Sequence, residues 1–340
     1  MSPRVHLRLA SLLLLSCVTA CAPAAPAPPP QSALPSPPAL PSPGRPLPLP
    51  TRFMADRFFV EPITTSGARL LLYTDTGGGL FLTRSAVERL GLPTEQIAGD
   101  EGLAEGVRLP PFKPEASIPP VTVLGGHLGV ASKDKKACER ETSDGMLGQA
   151  WFQGRTWTFD YPGRRLLLRA TGDLPAHDAS HRVSLGFPMN EAGTRATNFP
   201  RIQAQIDGQT VDLLFDTGAT VNLTDQAAAA LADGGPVVRA TSFIVQSTFD
   251  RWRQDHPEWR VIEGADLCAR GEPMIEVPRI TVAGHEVGPV WFVRRRDANF
   301  HEWMSQWMDK RVDGALGGSA LHDFRVTVDY PSAVAVFERP

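Results

Sequence analysis

Two aspartates in this chain sit where a carboxylate is costly. Asp75 closes the apolar run of "LLLYTDTGGGLFLT" (70–83), and Asp216 closes that of "VDLLFDTGATVNLT" (211–224). A buried carboxylate is strongly unfavourable unless something partners it. Each of these has the other as a candidate: across a short gap two like charges cannot both ionise, so one carboxyl keeps a proton while its twin stays anionic. Such a pair can hold a water molecule. The anionic member then acts as general base on the water, and the protonated member hydrogen-bonds the group under attack. That chemistry requires neither metal nor covalent intermediate, and no cofactor is expected.

The residues around each aspartate fit the task of positioning it. Thr76-Gly77 follows Asp75, and Thr217-Gly218 follows Asp216. Glycine has no Cβ, so backbone N–H groups can come close to the carboxylate. The runs "LLLY" and "DLLF" read as strands that anchor each loop in a core. Eight positions before each aspartate stands a glycine, Gly67 or Gly208, placed to turn a hairpin into that strand. Downstream, Leu82-Thr83 matches Leu223-Thr224, followed by the helix-like runs "RSAVERLGL" and "DQAAAALAD" with Thr83 and Thr224 at N-cap positions.

The correspondence continues along the chain. "IPPVTVLGGHLG" (118–129) parallels "VPRITVAGHEVG" (277–288), "DGMLGQAWF" (144–152) parallels "DGALGGSAL" (313–321), and "WTFDYPGRRLLL" (157–168) parallels "VTVDYPSAVAVF" (326–337). An ordered series of matched blocks reads as an internal duplication. It predicts two lobes of one plan, 51–180 and 181–340. The second copy is longer: 69 positions separate Asp75 from Asp144, but 97 separate Asp216 from Asp313. The extra chain is expected in "STFDRWRQDHPEWRVIEGADLCARGE" and "RRRDANFHEWMSQWMDKR", as surface elaborations over a cleft.

With both Asp-Thr-Gly triplets and the turns Met146-Leu147-Gly148 and Ala315-Leu316-Gly317, the chain resembles the aspartic peptidases, and each half is similar to a retropepsin lobe. The resemblance covers everything after the Pro-rich segment described below. It implies an all-β acid-protease fold of two similar β-barrel lobes, with the active site at their interface and Asp75 and Asp216 catalytic. Thr76 and Thr217 would hydrogen-bond across that interface, supporting the active-site loops together with Gly77 and Gly218. The substrate would be a polypeptide bound as an extended strand, and one chain carries both halves, so a monomer is expected. A flap is expected from 99–112 or from 242–252. The residue after each triplet is Gly78 or Ala219, where pepsin-like enzymes often have a hydroxyl. Without that donor the pair should keep its proton to higher pH. The alternative is a catalytically inactive, lipid-anchored peptide-binding protein of the same fold.

Other chemistries lack their residues. There is no Gly-x-Ser-x-Gly elbow for a serine hydrolase, and His301-Glu302 lacks the second histidine of a zinc helix. No metal site is expected. His127 and His285 fall in turns between strand-like runs and are expected at the surface. A formal net charge of −3 with no basic cluster gives no reason to expect nucleic acid.

The N-terminus reads as an address. "MSPRVHLRLASLLLLSCVTAC" has Arg4 and Arg8, an apolar stretch too short to span a bilayer, and small residues before Cys21. "VTAC" resembles a bacterial lipobox. It implies a signal peptide over 1–20, a lipidated Cys21 and a place in the cell envelope, in the outer membrane facing the periplasm. Residues 21–50 read as a Pro-rich tether in polyproline conformation. Cys138 and Cys268 remain in an oxidising compartment, as a disulfide or as two thiols.

Overall fold

The structure, a computed structural model, describes residues 41–99, 102–131 and 143–340. Cys21, the signal-like segment and Cys138 lie outside the described residues. Among the described residues no helix is long and apolar enough to cross a membrane. Among the described residues β-strand is the commonest element, and the helices are few and short.

In the first half, eight strands form one sheet. They are β1 (Thr51–Met54), β2 (Arg57–Val60), β3 (Leu72–Thr74), β4 (Leu80–Thr83), β5 (Thr94–Gly99), β6 (Gly102–Arg108), β7 (His127–Ala131) and β8 (Gly145–Leu147), in the order β1-β2-β3-β8-β4-β7-β6-β5. Helix α1 (Arg84–Leu90) leaves β4 directly: the Thr83 hydroxyl accepts from the Ala86 N–H, and Gly91 ends the helix in the left-handed conformation.

The second half repeats the part of this arrangement that surrounds the aspartate. Its elements are β9 (Gln209–Phe215), β10 (Thr220–Asn222), α2 (Asp225–Leu231), β11 (Val238–Ala240), β12 (Ser242–Val245), α3 (Gln246–Asp255), β13 (Val261–Asp266), β14 (Glu272–Val277), β15 (Val290–Arg295) and β16 (Gly314–Leu316). β3 runs parallel to β8, β8 antiparallel to β4, and β4 parallel to β7. Correspondingly, β9 runs parallel to β16, β16 antiparallel to β12, and β12 parallel to β15. Leu82 faces Gly145 as Ile244 faces Gly314.

That register corrects the expected location of the extra chain. The counterpart of β4 is β12, and that of α1 is α3; neither is the Leu223-Thr224 segment with its helix α2. Leu82 lies 7 positions after Asp75 and Ile244 lies 28 after Asp216, so 21 of the 28 extra positions fall between the aspartate and this strand. The chain departs at Ala219, makes β10, α2 and β11, and returns at Thr241, whose N–H closes the excursion on the Ala219 carbonyl at 2.9 Å. Val221, Leu223, Ala227 and Leu231 of the excursion pack on Ile262, Ala265, Met274 and Val293. The tryptophan-bearing stretch beginning at Ser247 is anchored in the core by Phe249 and Trp252 of α3, which are fully buried, while most of its other residues lie at or near the surface.

A third sheet of six strands draws on both halves. At its centre Thr156–Asp160 pairs antiparallel with Arg325–Asp329, and the hydroxyls of Thr158 and Thr327, directly opposite each other, lie 2.7 Å apart. Each shared Asp-Tyr-Pro turn is closed by its own aspartate: Asp160 accepts the Gly163 N–H at 3.0 Å, and Asp329 the Ser332 N–H at 3.3 Å. The body also begins earlier than position 51. Leu47–Pro48 pairs with Arg165–Arg169 at the edge of this sheet, and Leu49 is buried, so the end of the 21–50 segment is structured because its leucines cover the sheet. His127 is buried as well, its Nδ1–H donating to the Leu124 carbonyl at 2.8 Å and its Nε2 lying against a carboxylate oxygen of Glu95. His285 is half-buried, stacked on His181 with ring centroids 3.7 Å apart.

Candidate functional site

Each aspartate sits at the end of a strand held by a parallel neighbour. The Asp75 N–H donates to the Leu147 carbonyl of β8 at 3.1 Å, and the Asp216 N–H to the Leu316 carbonyl of β16 at 3.0 Å. The chain then turns back so that the glycine two residues on can reach the carboxylate. Gly77 N–H donates to Asp75 Oδ1 at 2.8 Å and Gly218 N–H to Asp216 Oδ1 at 2.9 Å.

The two loops are fastened to each other by their threonines. The Thr76 hydroxyl donates to the Phe215 carbonyl at 2.6 Å and accepts the Thr217 N–H at 3.0 Å, while the Thr217 hydroxyl accepts the Thr76 N–H at 3.3 Å. Both threonines are fully buried. The carboxyl groups cross over: a Cβ on Gly77 would lie 2.6 Å from Asp216 Cγ, and one on Gly218 would overlap the carboxyl of Asp75. Each glycine therefore makes room for the acid of the opposite loop as well as donating to its own. Asp75, Thr76, Gly77, Asp216, Thr217 and Gly218 are all brought together.

Asp75 and Asp216 are only 8% and 9% exposed and share a hydrogen bond. Burial pushes Asp75 above the ordinary aspartate value, partly offset by the hydrogen bond from Asp216 and by the N–H groups of Gly77 and Gly78. Asp216 is raised well above it, by burial first and by the charge of Asp75 second. The pair thus holds a proton through the range in which an exposed aspartate has lost it.

Both acids line one cavity of about 780 Å³. Apolar contributions come from Phe59, Tyr73, Phe81, Met146 and Phe243. Tyr73 has a second role that its place in an apolar run did not disclose: its hydroxyl donates to the Gly218 carbonyl at 2.7 Å and pairs with the Thr220 hydroxyl at 2.9 Å. The tyrosine two residues before one aspartate thereby holds the loop of the other. Burial keeps its phenol far above the ordinary value, so it remains a donor. Arg57 also lines the cavity, 2% exposed and donating to the Val238 carbonyl at 3.2 Å. Nothing in its sequence neighbourhood marks it.

Of the expected covering segments, 242–252 is corrected, whereas 99–112 lies partly outside the described residues, at its turn 100–101. Residues 242–252 are β12 and the start of α3, with only Phe243 lining the cavity. The hairpin β5–β6, which includes most of 99–112, contributes no described residue to the lining, whereas its topological counterpart β13–β14 contributes Asp266, Cys268, Arg270 and Glu272. Cys268 is disulfide-bonded. The expected partner, Cys138, is outside the described residues. Among the described residues no group of three or more His, Cys, Asp or Glu could hold a metal ion.

No family model matches the chain, and no curated protein matches it. Among solved structures, it is similar to an aspartic proteinase from Irpex lacteus, at 12% identity and a TM-score of 0.44, covering 86% of this chain and 96% of that one.

Proposed function

We propose that the chain is an aspartic endopeptidase of the two-lobed, acid-protease type. One observation carries this reading: the two carboxyl groups are hydrogen-bonded to each other, each seated against the other loop's glycine, in a cavity of peptide size. Duplication of a single lobe is supported by the matched strand registers on either side.

A water held between Asp75 and Asp216 is the nucleophile. The anionic carboxylate takes a proton from it as it attacks the peptide carbonyl, and the protonated carboxyl hydrogen-bonds the oxygen on which negative charge develops. The tetrahedral intermediate then collapses as the leaving amine takes up a proton, and the pair is left with the one proton it began with. Gly77 and Gly218 hold the inner oxygens, so the outer ones keep their direction through the cycle. Apolar side chains from both halves receive the residues beside the scissile bond. Lipidation at Cys21, inferred from the N-terminal sequence, would anchor the enzyme in the envelope, with polypeptides there as its substrates.

The test is hydrolysis of an unfolded protein by the wild type, Asp75→Asn and Asp216→Asn. Each substitution should reduce turnover about a thousandfold or more, within the range for loss of a general acid or base. Binding of peptides without wild-type turnover would replace the enzyme with a peptide-binding protein of the same fold.

A further inference from the structure

Outside the acid pair, the charged groups of the cavity wall are unevenly committed. Glu272 is bound by Arg294 at 2.6 Å and Asp266 by Arg295 at 2.7 Å, so both wall carboxylates are neutralised from within the protein. Arg295 also lies over the Phe243 ring at 4.0 Å. Arg270 and Arg296 line the same cavity, are exposed, and make no ion pair or hydrogen bond from their side chains among the described residues.

The two uncommitted guanidiniums are yoked by one buried group. Asp266 is 1% exposed; its Oδ1 accepts the Cys268 N–H at 3.0 Å and its Oδ2 accepts from Arg295. The first bond shapes the turn Leu267–Ala269, which Arg270 follows, and the disulfide at Cys268 fastens that turn. The second fixes the end of β15, from which Arg296 projects one residue later. A single carboxylate thus presents two exposed cations to a cavity that is also lined by the apolar Phe59, Phe81, Met146 and Phe243 and by the buried Arg57.

We propose that this second-half wall selects peptides carrying an acidic side chain, which Arg270 and Arg296 receive together. The inference rests on the reading of the cavity as a peptide cleft and adds what kind of peptide it favours. An apolar residue occupies the region beside Tyr73, Phe81 and Met146, and a Glu or Asp further along the strand meets the arginines. A lysine there meets two like charges. Two exposed cations acting through water-filled space should separate Glu from Lys by about tenfold or more at low salt, and by less as salt screens them.

The experiment uses peptides blocked at both ends and identical except for Glu, Gln or Lys at each position flanking an apolar pair. Binding is measured to the Asp75→Asn protein, and kcat/KM to the wild type. Expected is one position at which Glu exceeds Lys at least tenfold in both, an advantage that shrinks between 0.05 and 0.5 M NaCl. In an Arg270→Glu/Arg296→Glu protein the order of Glu and Lys should reverse, with a melting temperature reported alongside. Equal binding of Glu and Lys peptides by Asp75→Asn overturns the inference whether or not the wild type cleaves them. Preference for Glu in binding without wild-type cleavage of any peptide overturns the proteolytic reading and leaves the acidic preference standing. A folded double variant that keeps the Glu preference assigns that preference to other residues and overturns the role of these two arginines.

Discussion

Thr76 and Thr217, both fully buried, hold each other's loops, but they do so unequally. The Thr76 hydroxyl makes two short bonds to the opposite loop, to the Phe215 carbonyl and the Thr217 N–H, whereas the Thr217 hydroxyl accepts one longer bond. Thr76→Ala leaves a buried carbonyl and a buried N–H without partners. With each such group costing about 1–3 kcal/mol, a loss of about 2–3 kcal/mol in denaturant unfolding is expected, with kcat down about tenfold or more. Thr76→Ser should recover most of both. Full activity in Thr76→Ala would show that the acids keep their separation without this lock.

The crossing of carboxyl and glycine gives a prediction of a different kind. Gly77→Ala places a methyl 2.6 Å from Asp216 Cγ, and Gly218→Ala places one into the Asp75 carboxyl. In each case the acid of the opposite loop has to move. Misplacing a reacting group by about 1 Å costs about a hundredfold in rate, so both variants should lose that much kcat with a far smaller change in melting temperature. Peptide binding measured on the same proteins separates this from general disorder of the cleft.

How much of this was legible beforehand depends on whether the signal was local. The Asp-Thr-Gly loops and the caps at Thr83 and Thr224 were readable, because each is specified within a few residues. The counterpart of β4 was not. The excursion "VNLTDQAAAALAD" has the same local grammar as "LFLTRSAVERL", a strand followed by a threonine cap and a helix, and both fold that way. What separates them is which strand lies beside β16, a pairing with Gly314 and Ala315 about 70 residues away. Tyr73 was visible only as an apolar neighbour of Asp75, although a lone hydroxyl within a leucine run asks for a partner. Arg270 and Arg296 gave no sign at all, since the link between them depends on Asp266 of β13 meeting Arg295 of β15, a contact between separate strands.

Tyr73→Phe tests the tie from one half's strand to the other half's loop. The substitution keeps the ring, stacked on Phe59 at 4.7 Å, and removes the hydroxyl that donates to Gly218. Thr220 still donates to the same carbonyl at 2.9 Å, so the carbonyl is not left bare. The expected cost is therefore small, about 1 kcal/mol, while kcat should fall several-fold because the Asp216 loop is less firmly held. A loss as large as that of Thr76→Ala would mean that Thr220 cannot hold the carbonyl alone.

The raised affinity of the acid pair for protons sets two pH dependences with definite signs. For stability, below the ordinary aspartate value of 3.8 both folded and unfolded chains are protonated at these positions and burial carries no ionic penalty. As pH rises through that value and up to the raised folded one, the unfolded chain ionises first, so folding loses free energy; above the folded value the penalty is constant. Asp216→Asn removes it. The variant's melting temperature relative to wild type should therefore climb between pH 4 and neutrality, at about 2–4 °C per kcal/mol relieved. For activity, the working state carries one proton on the pair, so the same shift moves the alkaline limb of kcat/KM upward. Gly78 has no room for a side-chain donor that would reverse this, since a Cβ there would lie 2.5 Å from Asp75 Oδ2, and Ala219 offers none. The maximum is expected above about pH 4, nearer neutrality than a pepsin-like optimum of about pH 2–3. A rate maximum at pH 2–3, or a melting difference that is flat from pH 4 to 7, would mean that the carboxyl groups are better solvated than their burial implies.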